Sequence, residues 1–214
     1  MKDLELEFIK CCQSNNLEKV QACLTLEVDV NAVDYYGHTA AHKAAAAGHS
    51  EVIQILAATD LVDWEKGDCL GWTPLHAALF CGQFDVAEII AKQDNVNFSL
   101  KCKAGRTVAW AAVRGGSLRC VKILAELENC DSWNIPNNEG VTPLMKAISR
   151  NLEDILKILL DCPLVDTNLK DEDGNSPLMK AIKQEKSVMA IMMIKCPRMD
   201  LRTRDLQDLH RTAR

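Results

Sequence analysis

Aromatic residues are few in this chain: 4 Trp, 2 Tyr and 4 Phe make up 5% of 214 residues, so any clustering of them carries information. Long apolar runs are missing, and none approaches the roughly 18 residues that a membrane-spanning helix requires. The start, Met1-Lys2-Asp3-Leu4-Glu5, is charged and lacks the apolar stretch of a secretory leader. No Walker loop, G-x-G-x-x-G, G-x-S-x-G or H-E-x-x-H is present, so no convergent set of catalytic groups is expected. No C-x-x-C pair or zinc-type Cys/His spacing occurs, and neither a metal nor a cofactor is expected. A formal net charge of −5 argues against general nucleic-acid binding, which depends on neutralising phosphates.

What is present is ordinary globular composition, 48% hydrophobic and 26% charged, with 10 cysteines. The cysteines fall mostly inside apolar helical stretches. Free cysteine behaves as a small buried hydrophobe, so they read as reduced core thiols of an intracellular protein, cytoplasmic or nuclear.

The dominant feature is a repeat. Segments following a turn glycine read Gly37-His-Thr-Ala-Ala-His, Gly71-Trp-Thr-Pro-Leu-His, Gly105-Arg-Thr-Val-Ala-Trp, Gly140-Val-Thr-Pro-Leu-Met and Gly174-Asn-Ser-Pro-Leu-Met. These glycines recur every 34, 34, 35 and 34 residues. Small residues follow (Ala44-Ala45, Ala77-Ala78, Ala111-Ala112, Ala147, Ala181), then a second apolar helix such as Val52-Ile53-Gln54-Ile55-Leu56. The glycine suits a positive φ in a β-turn. Thr or Ser two residues later suits a helix N-cap, and the Pro after it suits the first helical position, where no amide donor is needed. Gly48, Gly82 and Gly116 fall where the first helix should end in a left-handed cap. Gln54, Glu88, Lys122 and Lys157 are predicted to face solvent.

With these residues in view, the sequence resembles the ankyrin repeat family, most closely at Thr73-Pro74-Leu75-His76. The resemblance implies an all-α solenoid of about six repeats, each a β-hairpin or turn followed by an antiparallel helix pair. By the same resemblance, residues 1–33 are expected to form an N-terminal capping repeat without its opening hairpin. Five repeats follow at 34–67, 68–101, 102–136, 137–170 and 171–204. Residues 205–214 begin a further repeat or form a C-terminal cap. The apolar helix from Val188 to Ile194 requires a cover, which those last residues or a longer parent chain would supply.

The departures from the family pattern are specific. Trp110 stands where His42 and His76 begin their helices, and Met145 and Met179 replace the histidine in the last two repeats. Asn151 and Glu185 occupy the place of the inter-helix glycine. Asn tolerates a left-handed conformation and Glu does so poorly, so looser geometry is expected in the last repeat. His42 and His76 are expected to serve structural hydrogen bonds. Trp64, Trp110 and Trp133 are expected in the core. Asp171-Glu172-Asp173 fits no calcium loop and reads as a solvated hairpin.

The resemblance also implies a binding surface: the fingers and exposed inner-helix positions that line the family's concave groove. Carried over, those positions include Tyr35, Tyr36 and His38 in the second repeat, Leu70, Trp72 and Phe80 in the third, and Lys103, Arg106 and Arg114 in the fourth. Four of the ten aromatics thus fall on this surface beside a basic group. Large exposed rings are typical anchors of binding energy. In the opposing reading, the rings pack on one another across neighbouring fingers and stiffen the stack. Farther along, Asp166, Asp171, Glu172 and Asp173 are expected to make the groove acidic.

The leading functional expectation is a non-catalytic protein–protein interaction module, an adaptor, scaffold or inhibitor. Its partner would be another protein offering an apolar anchor with an acidic flank. The alternative is a regulatory or targeting portion of a larger protein, such as a ligase substrate receptor or an enzyme. Nucleic-acid binding ranks below both, and no membrane partner is expected.

Overall fold

A computed structural model describes residues 2–128 and 130–200. Among the described residues there are twelve α-helices, one 3-10 turn (Asp131–Asn134) and no strand. The inner row is α1 (Lys2–Gln13), α3 (Ala40–Ala47), α5 (Pro74–Phe80), α7 (Val108–Gly115), α9 (Pro143–Ser149) and α11 (Pro177–Lys183). The outer row is α2 (Leu17–Thr25), α4 (Ser50–Ala57), α6 (Phe84–Ala91), α8 (Leu118–Glu126), α10 (Glu153–Asp161) and α12 (Ser187–Ile194). Consecutive inner helices pack on one another, as do consecutive outer helices, and each inner helix packs on its own outer partner.

Capping chemistry sets where each inner helix begins. Thr39, Thr73, Thr107, Thr142 and Ser176 each accept the backbone N–H three residues on, satisfying a donor that the helix leaves unpaired. Pro74, Pro143 and Pro177 occupy the first turn, where their missing donor does no harm. Gly48 and Gly116 end their helices at φ 83° and 80°, and Gly82 follows α5 at φ 74°. Leu, Ile and Val side chains from both rows meet between them: Ile53, Leu56, Leu75, Leu79, Ile90, Leu124, Leu144, Ile148 and Leu156 are all fully buried. Burial of each such side chain contributes roughly 1.5–3 kcal/mol. Alanines at 44, 45, 78, 111, 112, 147 and 181, all inaccessible, let the inner helices approach closely.

The connections between repeats take the turn form of the expected unit. They are hydrogen-bonded turns with no strand ladder. In the second repeat, Asp34 N–H donates to the His38 carbonyl at 2.9 Å and Gly37 N–H to the Asp34 carbonyl at 3.0 Å. The same pair of bonds recurs around Gly71, Gly105, Gly140 and Gly174. Single backbone bonds join adjacent fingers: Cys69 N–H to Tyr36 O (3.0 Å), Lys103 N–H to Leu70 O (2.9 Å) and Asn138 N–H to Ala104 O (3.1 Å). One bond per junction is too sparse for a ladder, yet it fixes the spacing of the fingers.

The last repeat departs from expectation. Glu185 adopts φ 56°, and Lys186 N–H closes onto the Ala181 carbonyl at 2.8 Å, as Leu152 N–H closes onto Ala147 at 3.0 Å after Asn151 at φ 59°. The frame is therefore kept and Glu185 carries the backbone strain, because the turn is fixed by packing on both sides. On α12, Val188, Ile191 and Ile194 remain 52%, 52% and 47% exposed. The stretch expected to be a further repeat or cap, 205–214, lies outside the described residues.

Candidate functional site

The groove face of repeats two to four contains two adjoining cups. One, of about 330 Å³, is lined by Leu70, Trp72, Phe80, Arg106, Trp110 and Arg114, together with Asp68, Ala77 and Cys81. The other, of about 410 Å³, lies between His38, His42, Lys43, Ala46 and Ala47 on one side and Trp72 and Ala77 on the other. Trp72, Ala77 and Asp68 belong to both, so the cups form one trough across repeats two to four, lined also by Gln13 of the first.

The positions of these side chains follow from local structure. Trp72 sits immediately before the N-cap Thr73, and its N–H donates to Asp68 Oδ1 at 2.9 Å. Its ring meets Phe80 edge-on, with centroids 5.1 Å apart and planes at 90°, and lies 5.7 Å from the His76 ring. Phe80 ends α5, one helix length away on the same face, and remains 39% exposed. Leu70 projects from the finger tip, 59% exposed. These contacts are internal to the third repeat. Tyr35 and Tyr36 likewise stack edge-on within their own finger, at 5.3 Å, and are 94% and 59% exposed.

His38 is held on both sides by acid. Its Nδ1 is 3.3 Å from Asp34 Oδ2 and its Nε2 3.5 Å from Asp68 Oδ2. Burial pushes the Asp34 carboxyl up, but amide donors from His38 and Tyr36 and the Lys43 ammonium outweigh it, holding it at about 2. Lys43 Nζ is 3.1 Å from Asp34 Oδ2. The corresponding pair in the last repeat is Lys180 and Asp171, at 2.7 Å.

Of the four acids expected to make the groove acidic, Asp171 alone is buried and paired, while Asp166 is exposed. The Asp171 carboxylate accepts from Asn175 N–H (2.8 Å) as well as from Lys180, so its charge is spent within its own repeat. Glu172 and Asp173 are exposed.

Positive charge continues from the fourth repeat into the fifth. The Arg106 guanidinium lies 4.2 Å from the Trp110 ring centroid and Lys146 Nζ lies 5.2 Å from it. Arg114 faces Phe80 at 5.9 Å, and Arg150 donates to the Arg114 carbonyl. Trp110 is 3% exposed, as expected of a core residue, yet it also lines the first cup. Lys103 is exposed on the finger, where its carbonyl accepts from Asn138 Nδ2 at 2.9 Å. Lys146 lies outside the set expected from the sequence, although Lys43 and Lys180 at the same repeat position offer the comparison.

His42 and His76 serve the stack. Nδ1 of each accepts the backbone N–H of Thr39 (3.1 Å) or Thr73 (3.3 Å), and Nε2 reaches the Trp72 carbonyl at 2.8 Å or the Arg106 carbonyl at 3.2 Å. Burial lowers both imidazoles, His76 to about 4. Trp64 and Trp133 are buried, as expected. All ten cysteines are free; Cys69 and Cys81 are exposed and the rest buried. Among the described residues no three potential ligands gather as a metal site, and no helix is long and apolar enough to cross a membrane.

The family model described as ankyrin repeats (3 copies) matches residues 8–101 and again residues 94–171. No curated protein matches the chain. Repeats of this kind are generally protein–protein interaction modules and typically non-enzymatic. A match over well over half of the length, on a stack of turn–helix–helix units, places the chain in its family: it is an ankyrin repeat protein.

Proposed function

We propose that this protein is a non-catalytic binding module that holds a segment of another protein in the trough of repeats two to four. The observation that carries this reading is the cup made by Leu70, Trp72 and Phe80, bordered by Arg106 and Arg114. Apolar and aromatic walls accept an apolar anchor, because burying such a side chain against rings yields much area for little entropy. The arginines beside it, with Lys103 on the adjoining finger, favour acidic residues next to the anchor. His38, Tyr35 and Tyr36 extend the surface toward the second finger. Such a module suits an adaptor, a scaffold or an inhibitor. The free thiols support a reducing intracellular compartment, cytoplasmic or nuclear.

The test is selection from a displayed library of protein-derived peptides, with the wild-type chain and with a Trp72→Ala/Phe80→Ala variant shown by circular dichroism to remain folded. The expected result is enrichment of peptides with an apolar anchor and nearby Asp or Glu, lost with the variant. Enrichment that survives in the folded variant would move the binding surface elsewhere.

A further inference from the structure

Repeat symmetry exposes an imbalance of charge. The inner helices of the second, fifth and last repeats carry a lysine at the same place: Lys43, Lys146 and Lys180. Two of them reach back to the aspartate that opens their own finger, Lys43 to Asp34 at 3.1 Å and Lys180 to Asp171 at 2.7 Å. In the fifth repeat that opening residue is Asn137, whose Oδ1 accepts the backbone N–H groups of Glu139 and Val141. An amide satisfies the turn as well as a carboxylate does, but it brings no charge. Lys146 is therefore left without the counter-ion that its equivalents have.

Its surroundings sharpen the imbalance. Burial disfavours the Lys146 ammonium, Arg114, Arg150 and Arg106 all repel it, and only Glu139 offsets them. Two donors at the same place have no acceptor among the described residues: Arg106 Nε and the indole Nε1 of Trp110, both buried. Arg106 and Lys146 thus share one indole, with Arg114 and Arg150 near enough to repel the ammonium and with hydrogen-bond donors unspent. Resting on the module read above, we propose that this cluster of Arg106, Arg114, Lys146 and Arg150 binds the phosphoryl group of a phosphorylated serine or threonine in the segment held by the trough.

A phosphoryl group suits the cluster better than a carboxylate for two reasons. It carries about two negative charges at neutral pH, and it offers three acceptor oxygens in different directions. The donors likewise arrive from different elements: Arg106 from a finger, Arg114 from α7, Lys146 from α9 and Arg150 from the end of α9. Arg106 and Arg114 line the apolar cup as well, so an anchor and a phosphate a few residues apart reach their subsites together. Nucleic acid supplies phosphates too, but the chain is net acidic and the neighbouring cup is walled by apolar side chains, which favours a phosphorylated protein segment.

The experiment uses the full chain and three degenerate nine-residue peptide pools, alike except for a central phosphoserine, serine or glutamate. The phosphoserine pool is expected to bind about ten-fold more tightly than the serine pool, and more tightly than the glutamate pool, in line with charge-assisted bonds to a dianion. Lys146→Gln should abolish that preference, Lys146→Arg should keep most of it, and Lys180→Gln, whose ammonium is already paired, should leave it intact. Because Lys146→Gln removes a like-charge conflict, the fold is expected to survive, which thermal melting checks. Trp72→Ala/Phe80→Ala should lose the selection of apolar anchors while keeping the phosphate preference, so a failure of the anchor reading is distinguished from a failure of this one. Equal binding of the three pools, or equal damage from Lys146→Gln and Lys180→Gln, would overturn the phosphate subsite. So would a random single-stranded oligonucleotide that binds as tightly as the phosphoserine pool.

Discussion

The imidazole Nε2 of His42 lies 2.8 Å from the carbonyl oxygen of Trp72, so the second repeat holds the backbone of the residue whose ring walls the binding trough. Nδ1 of the same ring accepts the Thr39 N–H at 3.1 Å. Only the neutral tautomer with its proton on Nε2 serves both bonds. His76 repeats the arrangement toward the Arg106 carbonyl, the next residue of the trough. Two neutral histidines therefore tie the spacing of the repeats to the shape of the site.

Stability should fall as pH drops from about 6.5 toward 4. The His76 pKa in the folded protein is about 4 against 6.5 for a free group, with burial the main cause. Between those values the unfolded chain binds a proton that the folded one does not, so stability rises with pH in that window and levels off below it. The displacement corresponds to roughly 3 kcal/mol. His42 is shifted the same way. The ion-paired carboxylates Asp34 and Asp171 are held below their ordinary value, so their own contribution is lost only as pH falls through the unfolded value, about 4, toward the folded ones. Urea denaturation at pH 7, 6, 5 and 4 checks this, and His76→Gln should flatten the dependence. A midpoint that does not move from pH 7 to 4 would contradict it.

Gly37→Ala should destabilise the stack more than Gly116→Ala. Both glycines have a positive φ, 78° and 80°, a conformation that costs a non-glycine residue about 1 kcal/mol. A Cβ on Gly37 would also stand 2.8 Å from the backbone nitrogen of Cys69, which donates the finger-to-finger bond to Tyr36. At Gly116 a Cβ meets nothing within 4 Å. The expected losses are about 1 kcal/mol for Gly116→Ala and at least twice that for Gly37→Ala, by chemical denaturation. Equal losses would mean that the fingers separate without penalty.

Features set by near neighbours along the chain are legible in the sequence itself. Turn glycine, N-cap Thr or Ser and the proline after it act within a few residues, so their spacing is their geometry. The grouping of Leu70, Trp72 and Phe80 is legible too, because the repeat assigns them to one face. Charge pairing is not legible in the same way. Whether Asp171 faces the groove depends on Lys180 folding back to it, and sequence alone counts it simply as negative. Lys146 is hidden for the converse reason. Its importance lies in the carboxylate that Asn137 does not provide, a feature visible only when three repeats are overlaid. Trp110 shows a further limit, since one side chain is both buried and a wall of the cup.

Glu185→Gly should stabilise the protein. Glu185 holds φ 56° at the turn between α11 and α12, where the second, third and fourth repeats place Gly48, Gly82 and Gly116. Relief of that strain is expected to raise stability by about 1 kcal/mol, less the entropy that glycine adds to the unfolded chain. Asn151→Gly should gain less, because Asn adopts this conformation more readily. Hydrogen exchange across α11 and α12 gives the local readout, with slower exchange expected in Glu185→Gly. Unchanged exchange would locate the weak point of the last repeat elsewhere, for instance on the exposed apolar face of α12.

Thiol chemistry offers a test of occupancy at the trough. Cys69 and Cys81 are exposed, whereas Cys12 is fully buried with its thiol pushed up to about 12 by burial. Only the thiolate reacts, so a mild aromatic disulfide at pH 8 should modify two cysteines quickly and the other eight only as the protein opens. Burial raises the Cys81 thiol as well, which should slow its modification. Cys81 lines the cup beside Trp72 and Phe80, and Cys69 does not. A segment seated in the cup should therefore slow Cys81 several-fold and leave Cys69 nearly unchanged, as peptide mapping of the modified protein would record. Equal protection of both would indicate that a partner covers the fingers, and protection of neither would indicate that it binds away from this trough.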